Sequence, residues 1–138
     1  MPVAGRKPKP AGQAVNRHQP THDWTEVEDL PFKDGPSLPT KRTNGKQFSA
    51  RVKKKWDAWR TMPHCILWTD SEWEFALDSI ELAAQFNDGD PKVAVELRNR
   101  ERVLGTTADF RRDLRIRYVD PKPVEVATVH DIDDYRDL

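Results

Sequence analysis

The residues best suited to chemistry in this sequence are cations able to hold phosphate. They fall in three groups: Arg6, Lys7 and Lys9 near the start, Arg51, Lys53, Lys54 and Lys55 in the middle, and Arg111, Arg112, Arg115 and Arg117 toward the end. Side chains of this kind neutralise nucleic-acid phosphates and release counterions, which makes the resulting affinity steeply salt-dependent. One pair suggests covalent chemistry, His64 beside Cys65, the chain's single cysteine. Sequence neighbours rarely attain the geometry of a nucleophile and its base, and no third group that would orient them is evident. A buried structural cysteine is the favoured reading.

Other catalytic patterns are missing. The glycines are scattered and build no phosphate-cradling loop, and neither a Gly-x-Ser-x-Gly elbow nor a His-Glu-x-x-His zinc helix occurs. The carboxylates are numerous, but none sits where sequence alone marks a low-dielectric, pKa-tuning environment. The expectation is a protein that is no enzyme and takes no cofactor and no metal.

Three regions must position the cations. Residues 1–46 hold most of the eleven prolines and few large apolar side chains, a composition that cannot offset ordering entropy and reads as a basic Pro/Gly-rich arm, largely extended or disordered. Within it Trp24, Val27, Leu30 and Phe32 form a sparse apolar patch among acidic residues, a clip to be docked on the core or on a neighbouring subunit. Residues 47–119 form the helical core and oligomerisation domain, and residues 120–138 an acidic tail. Net charge follows the same order, +7 over residues 1–60, −4 over 61–120 and −3 over 121–138. That polarity points to an anionic partner at the front and a protein partner at the back. No apolar run reaches membrane-span length and no signal-peptide pattern is present, so the chain is expected to be soluble.

The core reads as all-α, a small bundle of about four helices in two hairpins. Phe48, Val52, Trp56 and Trp59 lie at helical spacing, with Ser49 as a candidate N-cap and the lysines on the opposite side. That cationic side is either a solvated face or a phosphate contact. Pro63 stops this helix. Thr69-Asp70-Ser71-Glu72 fits a capping box opening a second helix whose stripe runs through Trp73, Leu77 and Ile80 to Phe86. Asp90-Pro91 opens a third helix that ends at Gly105, and Thr106-Thr107-Ala108-Asp109 fits another capping box before a fourth helix placing Phe110, Leu114 and Tyr118 on one stripe. The last two are either an ordinary hairpin or a helix-turn-helix with an arginine-bearing reader. A core of this size supplies only about 3–5 kcal/mol and usually needs a further device. With disulfides and metal set aside, oligomerisation remains, and Trp56, Trp59, Trp68, Trp73, Leu77 and Ile80 are the candidates for packing within and between subunits. In the tail, Ile132, Tyr135 and Leu138 are isolated anchors among acidic residues, suited either to docking on a partner or to fraying.

Trp68-Thr69-Asp70-Ser71-Glu72-Trp73, Phe86-Asn87-Asp88-Gly89, Ala94-x-Glu96-Leu97-Arg98-x-Arg100-Glu101, Leu104-Gly105-x-Thr107 and Arg111-Arg112-x-Leu114-Arg115 together resemble small terminase subunits of tailed double-stranded DNA phages, especially those infecting actinobacteria. The start, Gly5-Arg6-Lys7-Pro8-Lys9-Pro10, is similar to that of many such subunits. The resemblance implies a non-enzymatic packaging factor in the host cytoplasm. It further implies assembly into a homo-oligomeric ring of about eight to twelve subunits, binding of double-stranded viral DNA, and recruitment or regulation of the large terminase, which carries the ATPase and nuclease. Many relatives have an N-terminal helix-turn-helix that residues 1–46 cannot form, so DNA binding would rest on the three cationic groups. The competing expectation is a monomeric or dimeric helix-turn-helix transcriptional regulator.

Overall fold

The computed structural model describes residues 23–123 of the 138-residue chain. The chain runs through strand β1 (Thr25–Glu28), helix α1 (Ala50–Arg60), a 3₁₀ turn at Pro63–Leu67, helix α2 (Asp70–Asn87), and a second 3₁₀ turn at Pro91–Val93. Helix α3 (Ala94–Leu104), helix α4 (Ala108–Asp113) and strand β2 (Ile116–Val119) complete it.

Helix α1 starts where expected, with the Ser49 hydroxyl accepting a hydrogen bond from the Val52 N–H at 3.3 Å. Its apolar stripe of Val52, Trp56 and Trp59 is buried and packs with Phe48 against Ala76, Ile80, Ala83 and Ala84 of α2 and Leu97 and Leu104 of α3. The small side chains on α2 allow close approach of its neighbours. Its one buried hydroxyl, Ser79, is satisfied by donating to the Phe75 carbonyl at 2.6 Å. The Thr69–Glu72 pairing opens α2: the Glu72 carboxylate accepts from the Thr69 N–H at 2.8 Å and also from its hydroxyl. These bonds favour the charged form and hold the Glu72 pKa below its ordinary value. Gly105 closes α3 in the left-handed conformation, at φ 72°.

Residues 29–48 wrap this core without regular structure. Trp56 donates its indole N–H to the Pro36 carbonyl at 2.8 Å, Phe32 stacks on Trp73 at a centroid distance of 5.9 Å, and the buried Arg42 pairs with Asp88 at 2.7 Å. Of the clip seen in the sequence, Phe32 is docked on α2 of the same chain, Val27 is buried within β1 and Leu30 is half exposed.

The all-α expectation is corrected by a two-stranded parallel sheet, with Thr25 opposite Ile116 and Glu28 opposite Val119. The fourth helix does not reach Tyr118. It ends at Asp113, and Arg115 takes a left-handed conformation at φ 59°, which costs a non-glycine residue about 1–2 kcal/mol. Pairing offsets this: the Arg115 carbonyl accepts from the Thr25 N–H at 2.8 Å and starts the ladder with β1. The second capping box is also replaced. Thr107 is the N-cap, its hydroxyl accepting from the Phe110 N–H at 3.2 Å.

Candidate nucleic-acid interface

The middle cationic group divides in two. Arg51, Lys53 and Lys54 are exposed on the outer side of α1 and make no ion pair among the described residues. Lys55 is engaged within the fold, its ammonium 3.2 Å from the Glu101 carboxylate of α3 and 5.7 Å from the centre of the Trp59 ring. The division follows from helical spacing: the position next to the buried Trp56 and four before Trp59 faces α3, whereas Arg51, Lys53 and Lys54 project outward. Arg51 and Lys54 border a shallow groove of about 300 Å³ whose apolar wall includes Trp59 and Met62.

The late group is not one helical face. Arg111 is half-buried, donating to the Gly105 carbonyl at 3.1 Å and lying 4.7 Å from the centre of the Tyr118 ring. Arg112 forms an exposed pair with Asp109 at 3.3 Å. Arg115 sits in the turn and Arg117 on β2, and the two guanidinium groups flank Trp24 at 5.5 and 4.6 Å. Arg117 also approaches Glu26 at 3.8 Å. Sequence reasoning gave Trp24 to the apolar clip and missed its place beside two arginines. Only pairing of β1 with β2, across some ninety residues of chain, could have shown it. Helix α4 ends at Asp113 and carries just two of the four arginines, so they do not share one helix. Arg6, Lys7 and Lys9, like Ile132, Tyr135 and Leu138, lie outside the described residues.

The six residues chosen for subunit packing also separate. Trp56, Trp59 and Ile80 are buried inside one chain. Trp68 and Trp73 are half-buried and meet edge to face at 4.7 Å. Leu77 is half-buried at a surface hollow with Asp34, Asp70 and Glu74.

His64 and Cys65 form no nucleophile. Cys65 is fully buried, its thiol donates to the Trp59 carbonyl at 3.2 Å, and burial pushes its pKa up to about 12. The His64 ring nitrogens lie 2.6 Å from the Tyr118 hydroxyl and 2.7 Å from the Leu104 carbonyl oxygen. A carbonyl only accepts, so Nε2 carries the proton and Nδ1 accepts from Tyr118. Burial lowers the His64 pKa, and the nearby Arg111 charge acts in the same direction against the Leu104 bond. Among the described residues no cluster of His, Cys, Asp and Glu could hold a metal ion, and no helix is long and apolar enough to cross a membrane.

These features describe a mostly helical scaffold with exposed cations on α1 and around β2 among the described residues. The chain belongs to the phage terminase small subunit family, whose model matches residues 3–138. No curated protein and no solved structure matches it.

Proposed function

We propose that this chain is a non-enzymatic packaging subunit that forms a homo-oligomeric ring, binds double-stranded viral DNA and recruits or regulates the large terminase in the host cytoplasm. Family membership supports the packaging role, and small terminase subunits are in general non-catalytic packaging factors. The observation that carries DNA binding is the outer side of α1, where Arg51, Lys53 and Lys54 are exposed and without an ion pair among the described residues, on a helix anchored by buried Val52, Trp56 and Trp59. Three such cations on a rigid support contact phosphates with little sequence preference. A ring multiplies weak contacts through avidity. Arg115 and Arg117 around Trp24, together with the basic residues near the start, extend the same charge. The acidic tail, with Ile132, Tyr135 and Leu138 as anchors, is assigned to the large terminase.

Native mass spectrometry of the purified chain, alone and with a short duplex, tests this reading. A closed species of about eight to twelve subunits that retains DNA is expected. A monomer or dimer that leaves DNA free at low salt would overturn it.

A further inference from the structure

A groove of about 530 Å³ runs between β1, the residues after it and the 3₁₀ turn at Pro63–Leu67. Its apolar part includes three residues that are strongly exposed for their type, Leu30 at 50%, Ile66 at 67% and Leu67 at 49%. Its rim is acidic, with Glu26, Glu28 and Asp34 against the single Lys33. One wall is the edge of β1 that β2 does not cover. Thr25 and Asp29 donate their N–H groups to the Arg115 and Val119 carbonyls, so the two-residue alternation of a strand aims the Glu26 and Glu28 N–H groups away from β2. The Glu28 carbonyl is already taken by the Leu30 N–H at 2.8 Å. What the edge offers is therefore richer in donors than in acceptors.

We propose that this groove docks the chain's own basic N-terminal segment, residues 1–22. Charge selects it. Residues 1–22 carry Arg6, Lys7, Lys9 and Arg17 and no Asp or Glu, net +4, and residues 23–34 carry five Asp/Glu and one Lys, net −4. The other segment outside the described residues, 124–138, carries five Asp/Glu and one Arg, the same sign as the rim. Backbone chemistry selects it as well. Lys7-Pro8-Lys9-Pro10 supplies carbonyls while two of its residues lack an N–H, which suits an edge short of free acceptors. Alternation along an extended segment sends prolines and lysines to opposite sides, prolines to an apolar floor and lysines outward to acidic groups. Reach selects the same chain over a second copy: the segment joins β1 directly at Asp23, and a short tether holds it at an effective concentration of about millimolar. Occupancy of the groove would set the cations of the arm against Glu26, Glu28 and Asp34 when no phosphate competes.

Zero-length carbodiimide coupling of amines to carboxylates in the native full-length chain reads this contact. The experiment uses an equal mixture of ¹⁵N-labelled and unlabelled protein followed by peptide mass spectrometry. Lys7 and Lys9 are expected to couple to Glu26, Glu28 or Asp34 within chains of one isotope, and coupling should be lost in an R6E/K7Q/K9Q variant. An R6E/R17E variant, which keeps the amines of Lys7 and Lys9, should lose much of this coupling while keeping its helical circular dichroism, so misfolding does not explain the loss. Coupling of Lys7 and Lys9 mainly to α2 carboxylates would overturn the proposal. Mixed-isotope pairs at the groove would also overturn it, assigning the groove to the arm of a second copy.

Discussion

Tyr118 of β2 donates its hydroxyl to the Nδ1 of His64 across 2.6 Å, while the opposite ring nitrogen of His64 donates to the Leu104 carbonyl at the end of α3. One imidazole thereby ties the 3₁₀ turn, the third helix and the small sheet. The rings of His64 and Tyr118 also stack at 5.9 Å. A Tyr118→Phe change keeps the ring but leaves a buried acceptor unpaired, and should lower unfolding free energy by about 1–3 kcal/mol. Urea titration checks this, and a midpoint equal to that of the parent would show that the bond contributes nothing.

The same histidine makes stability fall in mild acid. Its folded pKa lies below the ordinary 6.5 because burial disfavours the cation, so the unfolded chain binds more protons in the window below 6.5. Stability is then complete above that value and declines as pH falls through the window toward the folded pKa, by at most about 1.4 kcal/mol per pH unit. Thermal melts between pH 5 and 7.5 should show this slope. A His64→Asn variant, less stable throughout, should have a flatter profile over the same window.

Gly35 holds the extended segment against α1. A methyl group there would lie 2.6 Å from the Arg60 carbonyl oxygen and 2.8 Å from the Arg60 Cβ, and neither can yield without moving the helix. Gly35→Ala should cost about 1–3 kcal/mol and weaken the Trp56–Pro36 hydrogen bond. The change in Trp fluorescence together with denaturant unfolding measures both effects.

Cys65 should behave as a core residue. Its thiol, with a pKa pushed up to about 12 and no exposed surface, should not react with a disulfide reagent at pH 8 while the protein is folded. It should react stoichiometrically in guanidinium. Rapid labelling of the native protein would reopen the thiol–imidazole reading.

Much of the helical framework was legible because its signals are local. Phe48, Val52, Trp56 and Trp59 repeat at helical spacing, Thr69 and Glu72 stand three apart, and Gly105 stops α3. The sheet was not legible. Each strand has four residues and is stabilised by a partner far away in sequence, and the four-residue spacing of Phe110, Leu114 and Tyr118 imitates a helix through the turn at Arg115. His64 was read beside Cys65 because they are neighbours, yet its partners are 40 and 54 residues distant. On α1 the spacing placed the cations around the helix but could not tell Lys55, held by Glu101, from Arg51, Lys53 and Lys54, which make no ion pair among the described residues. Side chains on one helix differ only by what packs beside them.

The central claim is that the outer side of α1 holds DNA phosphates. The most direct test measures duplex affinity across a salt series for the parent and for an R51A/K53A/K54A variant, whose fold should be unchanged because all three side chains are exposed. Loss of three phosphate contacts per subunit predicts weaker binding at every salt concentration and a slope of log K against log salt shallower by about 2.7 for each subunit engaged on the duplex. An affinity and slope equal to those of the parent would contradict the account.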